Sequence, residues 1–185
     1  MKNLFVILAF FIYLVGLHYL TLPAPSPPAL ADSARSDEPG DTVQNPDQAA
    51  YYTFRDSRPS ILGELQQKFS LLDFLGQRLD YRLNYRPEEV GEFVRDQLRS
   101  YYLEEVIHPL RESLFINVFD PAKSPMVDDE KRGQARMFLH GQYYPIKVTL
   151  RPVYSSETGR VVVWTLIFPA IYLVFLSLRK SFYEK

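Results

Sequence analysis

The chain has 185 residues, of which 46% are hydrophobic and 15% aromatic, enough for one modest core but not for two independent ones. Basic and acidic side chains balance across residues 51–160 and the formal net charge is -1, so there is no long-range positive field to gather phosphate backbones, and nucleic acid is excluded as a partner. The absence of cysteine removes disulfides, thiolate metal sites, covalent haem attachment, a lipoprotein anchor and a cysteine nucleophile in one step.

Taken in chain order, the first expected element is a transmembrane anchor within residues 1–22, where Leu4 to Leu22 carry no charge and at about 1.5 Å per residue approach a hydrocarbon core of about 30 Å. Lys2, the apolar run and Ala29-Leu30-Ala31 before Asp32 also fit a cleaved signal peptide. The run exceeds the roughly 7–15 residues of a signal core, however, and a proline-laden stretch separates it from that site, which favours an uncleaved anchor. Gly16 and Ala9 offer points of close helix approach, and His18 near the outer end reads as a solvated histidine before it reads as a ligand.

Residues 23–50 hold Pro23, Pro25, Pro27, Pro28, Pro39 and Pro46 and set five acidic side chains against Arg35 alone, the composition of an extended linker too poor in apolar groups to fold. A folded domain is expected over 51–158. From Ser60 to Leu75 the apolar residues Ile61, Leu65, Phe69, Leu72 and Leu75 recur at helical spacing. Residues 79–86 alternate as a short strand does, and a second helix is expected from Pro87, with Val90, Phe93, Val94, Leu98, Tyr101, Tyr102 and Val106 on its apolar face and Pro109 as its stop. Residues 114–120 and 135–154 read as strands around a charged loop at 121–133, with a turn or bulge at Gly141-Gln142 and Pro145 at a strand start or edge. Ile146, Val148 and Leu150 alternate with Lys147, Thr149 and Arg151 as on a half-buried strand. The fold class is therefore α+β: two helices on a small antiparallel sheet of about three strands, held between two transmembrane helices.

The second span is expected over 160–180, with Val161 to Leu178 uncharged, and a tail over 181–185. Arg179, Lys180 and Lys185 follow it, so the positive-inside bias puts both termini in the cytoplasm and the domain outside it, across a bacterial inner membrane. The short link from the last strand to this span holds the sheet close to the bilayer. Trp164 is placed as an interfacial anchor, and Pro169 removes a backbone donor in mid-span.

No G-x-S-x-G elbow, phosphate loop, H-E-x-x-H, calcium loop or dinucleotide fingerprint occurs. His108 and His140, with Glu104, Glu105 or Glu112, form a metal site only if the fold brings them together, and Asp120 with Asp128-Asp129-Glu130 matches no calcium loop. Neither catalytic residues nor cofactors nor metals are expected. The tyrosines carry more weight, because aromatics with a polar tip favour interfaces; with Trp164 and Pro169, the partner or membrane surface is placed at Tyr101, Tyr102, Tyr143 and Tyr144. The expected function is that of a non-catalytic accessory subunit that docks onto, and stabilises or organises, a larger membrane protein complex. The alternatives are an extracytoplasmic ligand-binding or chaperone module and an unfamiliar envelope enzyme.

Overall fold

A computed structural model describes residues 2–42, 48–70, 73–74, 77–85, 103–123 and 137–183. The chain divides into two compact units, one formed by residues 1–24 and 154–185 and the other by residues 25–153.

The first unit is a pair of helices, α1 (Lys2–Thr21) and α4 (Glu157–Tyr183). Only α4 is long and apolar enough to cross a membrane among the described residues, over Glu157–Lys180; the apolar helical run of α1, Val6–Thr21, is shorter, so the expectation of two full-length spans reduces to one by length alone. Both helices carry exposed apolar side chains, among them Val6, Phe10, Phe11, Leu166, Leu173 and Phe175. Pro169 lies inside α4 without ending it.

The second unit is an α+β domain. Its six-stranded antiparallel sheet has the order β1 (Ser33–Arg35), β2 (Ala49–Thr53), β10 (Ile146–Val153), β7 (Ser113–Phe119), β6 (Leu103–Ile107) and β5 (Tyr81–Tyr85). Two short ribbons, β3 (Asp73–Phe74) with β4 (Gln77–Arg78) and β8 (Met137–Leu139) with β9 (Gln142–Tyr144), complete the strands. The sheet is twice the expected size for two reasons. The stretch expected as an unfolded linker supplies β1, the one-turn helix α2 (Pro39–Thr42) and the start of β2. Residues 103–107, expected as the end of a second helix, form β6. The body of that expected helix, with Tyr101 and Tyr102, lies outside the described residues, as do the carboxylates 128–130.

Helix α3 (Arg58–Phe69) begins where the Ser57 hydroxyl caps the Ser60 amide and Pro59 takes an early helical position. It ends at the extended Ser70, short of the expected Leu75. Its buried face is Ile61, Leu62, Leu65 and Phe69, each contributing about 1.5–3 kcal/mol of burial. They pack on Val106, Leu114, Ile116, Val118, Ile146, Val148 and Leu150 from three neighbouring strands, with Leu30, Ala49 and Tyr51. Ile146, Val148 and Leu150 of β10 face this core as read from the sequence, whereas Thr149 on the opposite face is buried as well. Pro152 sits in this strand beyond the end of β2, where its missing N–H costs no ladder bond on that side.

Candidate functional site

In the helix pair, α1 and α4 run antiparallel and meet at one fitted contact. A Cβ added to Gly16 would lie 2.2 Å from a carbon of the Trp164 indole, so any larger residue would force the ring to shift. The Trp164 Nε1–H donates to the Tyr13 carbonyl at 3.1 Å, Tyr13 and Thr165 hydroxyls lie 3.3 Å apart, and Phe168 takes edge contacts from both Tyr13 and Trp164. Trp164 thus faces the neighbouring helix, and Pro169, one residue past Phe168, is exposed.

In the α+β domain, α3 lies along β6 and is tied to it at both ends. Glu104, Val106 and His108 alternate onto the face under α3. Arg58, at the start of α3, forms an ion pair with Glu104, and Phe69, at its end, stacks on the His108 ring at 4.5 Å and 13°. Burial raises the Glu104 carboxyl above its usual range, against the opposing pull of Arg58. Glu104 and His108 share this face through strand spacing, but they sit under opposite ends of α3, which keeps them apart.

The turn between β6 and β7 is built on buried charge. His108 Nδ1 lies 3.2 Å from Glu112 Oε1, and the Arg111 guanidinium donates to both oxygens of Glu112, at 2.9 Å to Oε1 from its terminal nitrogen and 3.3 Å to Oε2 from Nε. Burial lowers the His108 pKa, and although burial would raise that of Glu112, hydrogen bonds from Arg111 hold it below the usual range. Beside them Asp80 accepts from Gln66 at 2.6 Å and Ser70 at 2.8 Å, fastening the start of β5 to the end of α3. The Arg111 amide donates to the His108 carbonyl at 3.0 Å, closing a turn with Pro109 second and Leu110 third. Leu110 has φ 62°, where glycine is usual, and is 64% exposed.

The remaining candidates sit on the β8–β9 hairpin. Its turn is His140-Gly141, both at positive φ, one residue earlier than the expected Gly141-Gln142. Tyr144 is buried, in contact with the rings of Tyr52 and Phe54, and donates to Gln142; Tyr143 is exposed and faces Phe138 across the ribbon. His140 lies 2.7 Å from Asp37, exposed and away from the buried His108. Among the described residues no three histidine or carboxylate side chains gather as metal ligands. On the same side of the sheet as this hairpin, Lys147 joins Asp41 in an ion pair and Tyr52 donates to Asp41 at 3.3 Å, holding α2 against β2 and β10.

The structure thus buries Tyr144, exposes Tyr143 and directs Trp164 to a partner helix. The sequence marks His108 and Glu112 only as possible metal ligands and passes over Leu110 and Arg111; Pro109, read there as a helix stop, is the one signal for a turn. Comparison of the chain with protein-family models, curated proteins and solved structures finds no match in any of the three.

Proposed function

We propose that this chain is a membrane-anchored, non-catalytic accessory subunit. In this reading α1 and α4 lie side by side in a bacterial inner membrane, with Arg179 and Lys180 on the cytoplasmic side. The α+β domain stands outside the cytoplasm and docks onto a larger membrane protein complex, which it stabilises or organises. A two-helix anchor is the arrangement most consistent with a segment of α1 that is apolar all round yet short, because a neighbour already fixed in lipid supplies its second contact surface.

The observation that carries the reading is the fit of Trp164 into the notch at Gly16. A segment destined for removal has no reason to match the helix at the other end of the chain in shape and in hydrogen bonding. The exposed aromatics Phe138 and Tyr143 on the hairpin, and Phe54 beside it, supply surface of the kind that protein interfaces use.

The test is purification of the tagged full-length chain from its native membranes in mild detergent. A reproducible set of co-eluting membrane proteins, lost when Phe138 and Tyr143 are both changed to serine, is expected. A chain that elutes alone, or an N-terminus that begins after Ala31 in the mature protein, overturns the reading.

A further inference from the structure

We propose that one end of the α+β domain rests on the bilayer, with Leu110 inserted among the lipid headgroups; the inference rests on the reading above that α4 is in the membrane. The register of the sheet sets Tyr81, Ile107, Ser113 and Val153 in one row across β5, β6, β7 and β10. The turn His108–Glu112 lies beyond that row, and so does Leu79. Leu79, Tyr81, Leu110 and Val153 are all exposed large apolar side chains, and they are collected at this one end. Arg78 and Arg82, both exposed, flank Leu79 and Tyr81 and match anionic lipid phosphates in charge.

Two features of the domain favour lipid as the occupant over a protein. First, both chain connections leave from this end. Val153 closes β10 and three residues, 154–156, lead to α4. On the other side, the Ala29 carbonyl accepts from Lys68 at 2.8 Å, one residue from the Phe69 ring that stacks on His108, so the segment arriving from α1 enters here as well. So short a link holds Val153 within about 14 Å of the start of α4.

Second, Leu110 is held where leucine is disfavoured. Its left-handed φ suits glycine, and its exposed side chain gains nothing from the domain's own core, while the buried Arg111–Glu112–His108 network beneath fixes the turn. A rigid apolar wedge at the same end of the sheet as two exposed arginines is the chemistry of an interfacial contact with anionic phospholipid.

Because the chain has no cysteine, single labels are unambiguous. Full-length variants Leu110→Cys, Ala122→Cys and Leu173→Cys would each carry an environment-sensitive nitrobenzoxadiazole label and be reconstituted in phosphatidylcholine vesicles with and without phosphatidylglycerol. Spin-labelled lipids serve as quenchers, and circular dichroism checks that each variant keeps its fold. The label at 110 should lose fluorescence to a headgroup spin label, more so when phosphatidylglycerol is present. That at 122, beyond the opposite end of β7, should not, and that at 173 in α4 should lose fluorescence to an acyl-chain spin label. If 173 is quenched and 110 behaves like 122, the wedge is wrong and the span stands. If neither is quenched, the membrane reading falls with it. A label at 110 that is shielded only in native membranes, and not in pure lipid, assigns the surface to a protein and overturns the proposal. Leu110→Gly supplies a second check, since it suits the turn: it should fold normally, and the vesicle-bound domain carrying it should become more accessible to protease.

Discussion

Leu110 occupies a backbone conformation that costs a non-glycine residue about 1–2 kcal/mol. Leu110→Gly should therefore raise the thermal midpoint of the protein in detergent by relieving about 1 kcal/mol, less the extra chain entropy of glycine. A fall in midpoint would mean that the leucine packs internally. The charged groups below it have the opposite character. Arg111 and Glu112 have almost no exposed side-chain surface, so Glu112→Ala strands a buried guanidinium and should cost about 3–5 kcal/mol in a denaturant titration. The acid behaviour follows from the same groups. His108 has a pKa below its ordinary value, so the unfolded chain takes up that proton first, and stability is lost as pH falls below about 6.5. Glu64 is opposed by burial, yet hydrogen bonds from Lys68, Arg55 and the Ala31 amide hold its pKa down to about 2. It gives stability above the ordinary carboxylate range that disappears as pH falls toward about 2. Unfolding followed against pH should show both windows, and His108→Gln should remove the upper one alone.

At the scale of elements, helix α3 and strand β6 form one mechanical unit, pinned by Arg58–Glu104 at one end and Phe69–His108 at the other. The helical spacing of Ile61, Leu65 and Phe69 was legible because α3 buries a single face, whereas its end at Ser70 was not: Leu72 and Leu75 extend the pattern, but local geometry stops the helix first. Residues 103–107 misled for a different reason. LEEVI has apolar residues compatible with either period over so short a run, and pairing with β5 and β7 decides in favour of a strand. In the helix pair, Gly16 was visible as a small residue, but its match to Trp164 depends on two segments far apart in sequence. Gly16→Ile should expel the indole. In a Tyr13→Cys, Thr165→Cys background, a short bis-maleimide should crosslink the two helices efficiently with Gly16 present and poorly with isoleucine; equal yields would show that the notch does not set the packing.

At the scale of the molecule, the topology proposed here predicts that a cysteine at Ala122 reacts with a membrane-impermeant maleimide added outside intact cells, whereas one at Lys180 reacts only after the cells are opened. Reaction of both from outside would leave α4 out of the membrane, and reaction at 180 alone would invert it. By itself the sequence determined the uncharged apolar helix near the end of the chain, the α+β class, the α3 face and the core face of β10, because these depend on local hydrophobic period and on the presence or absence of charge. The tertiary structure alone decided that the proline-rich, acidic segment enters the sheet. There, β1 and α2 are held by pairing with β2 and by the Asp41–Lys147 ion pair rather than by apolar content of their own. It alone decided, too, that Leu110 sits over buried charge, since groups far apart in the chain such as Asp80, Phe69 and Glu112 converge at this turn and partner its buried polar side chains. Periodicity reports what each segment must hide from water, and convergence of segments far apart in the chain reports what they then build.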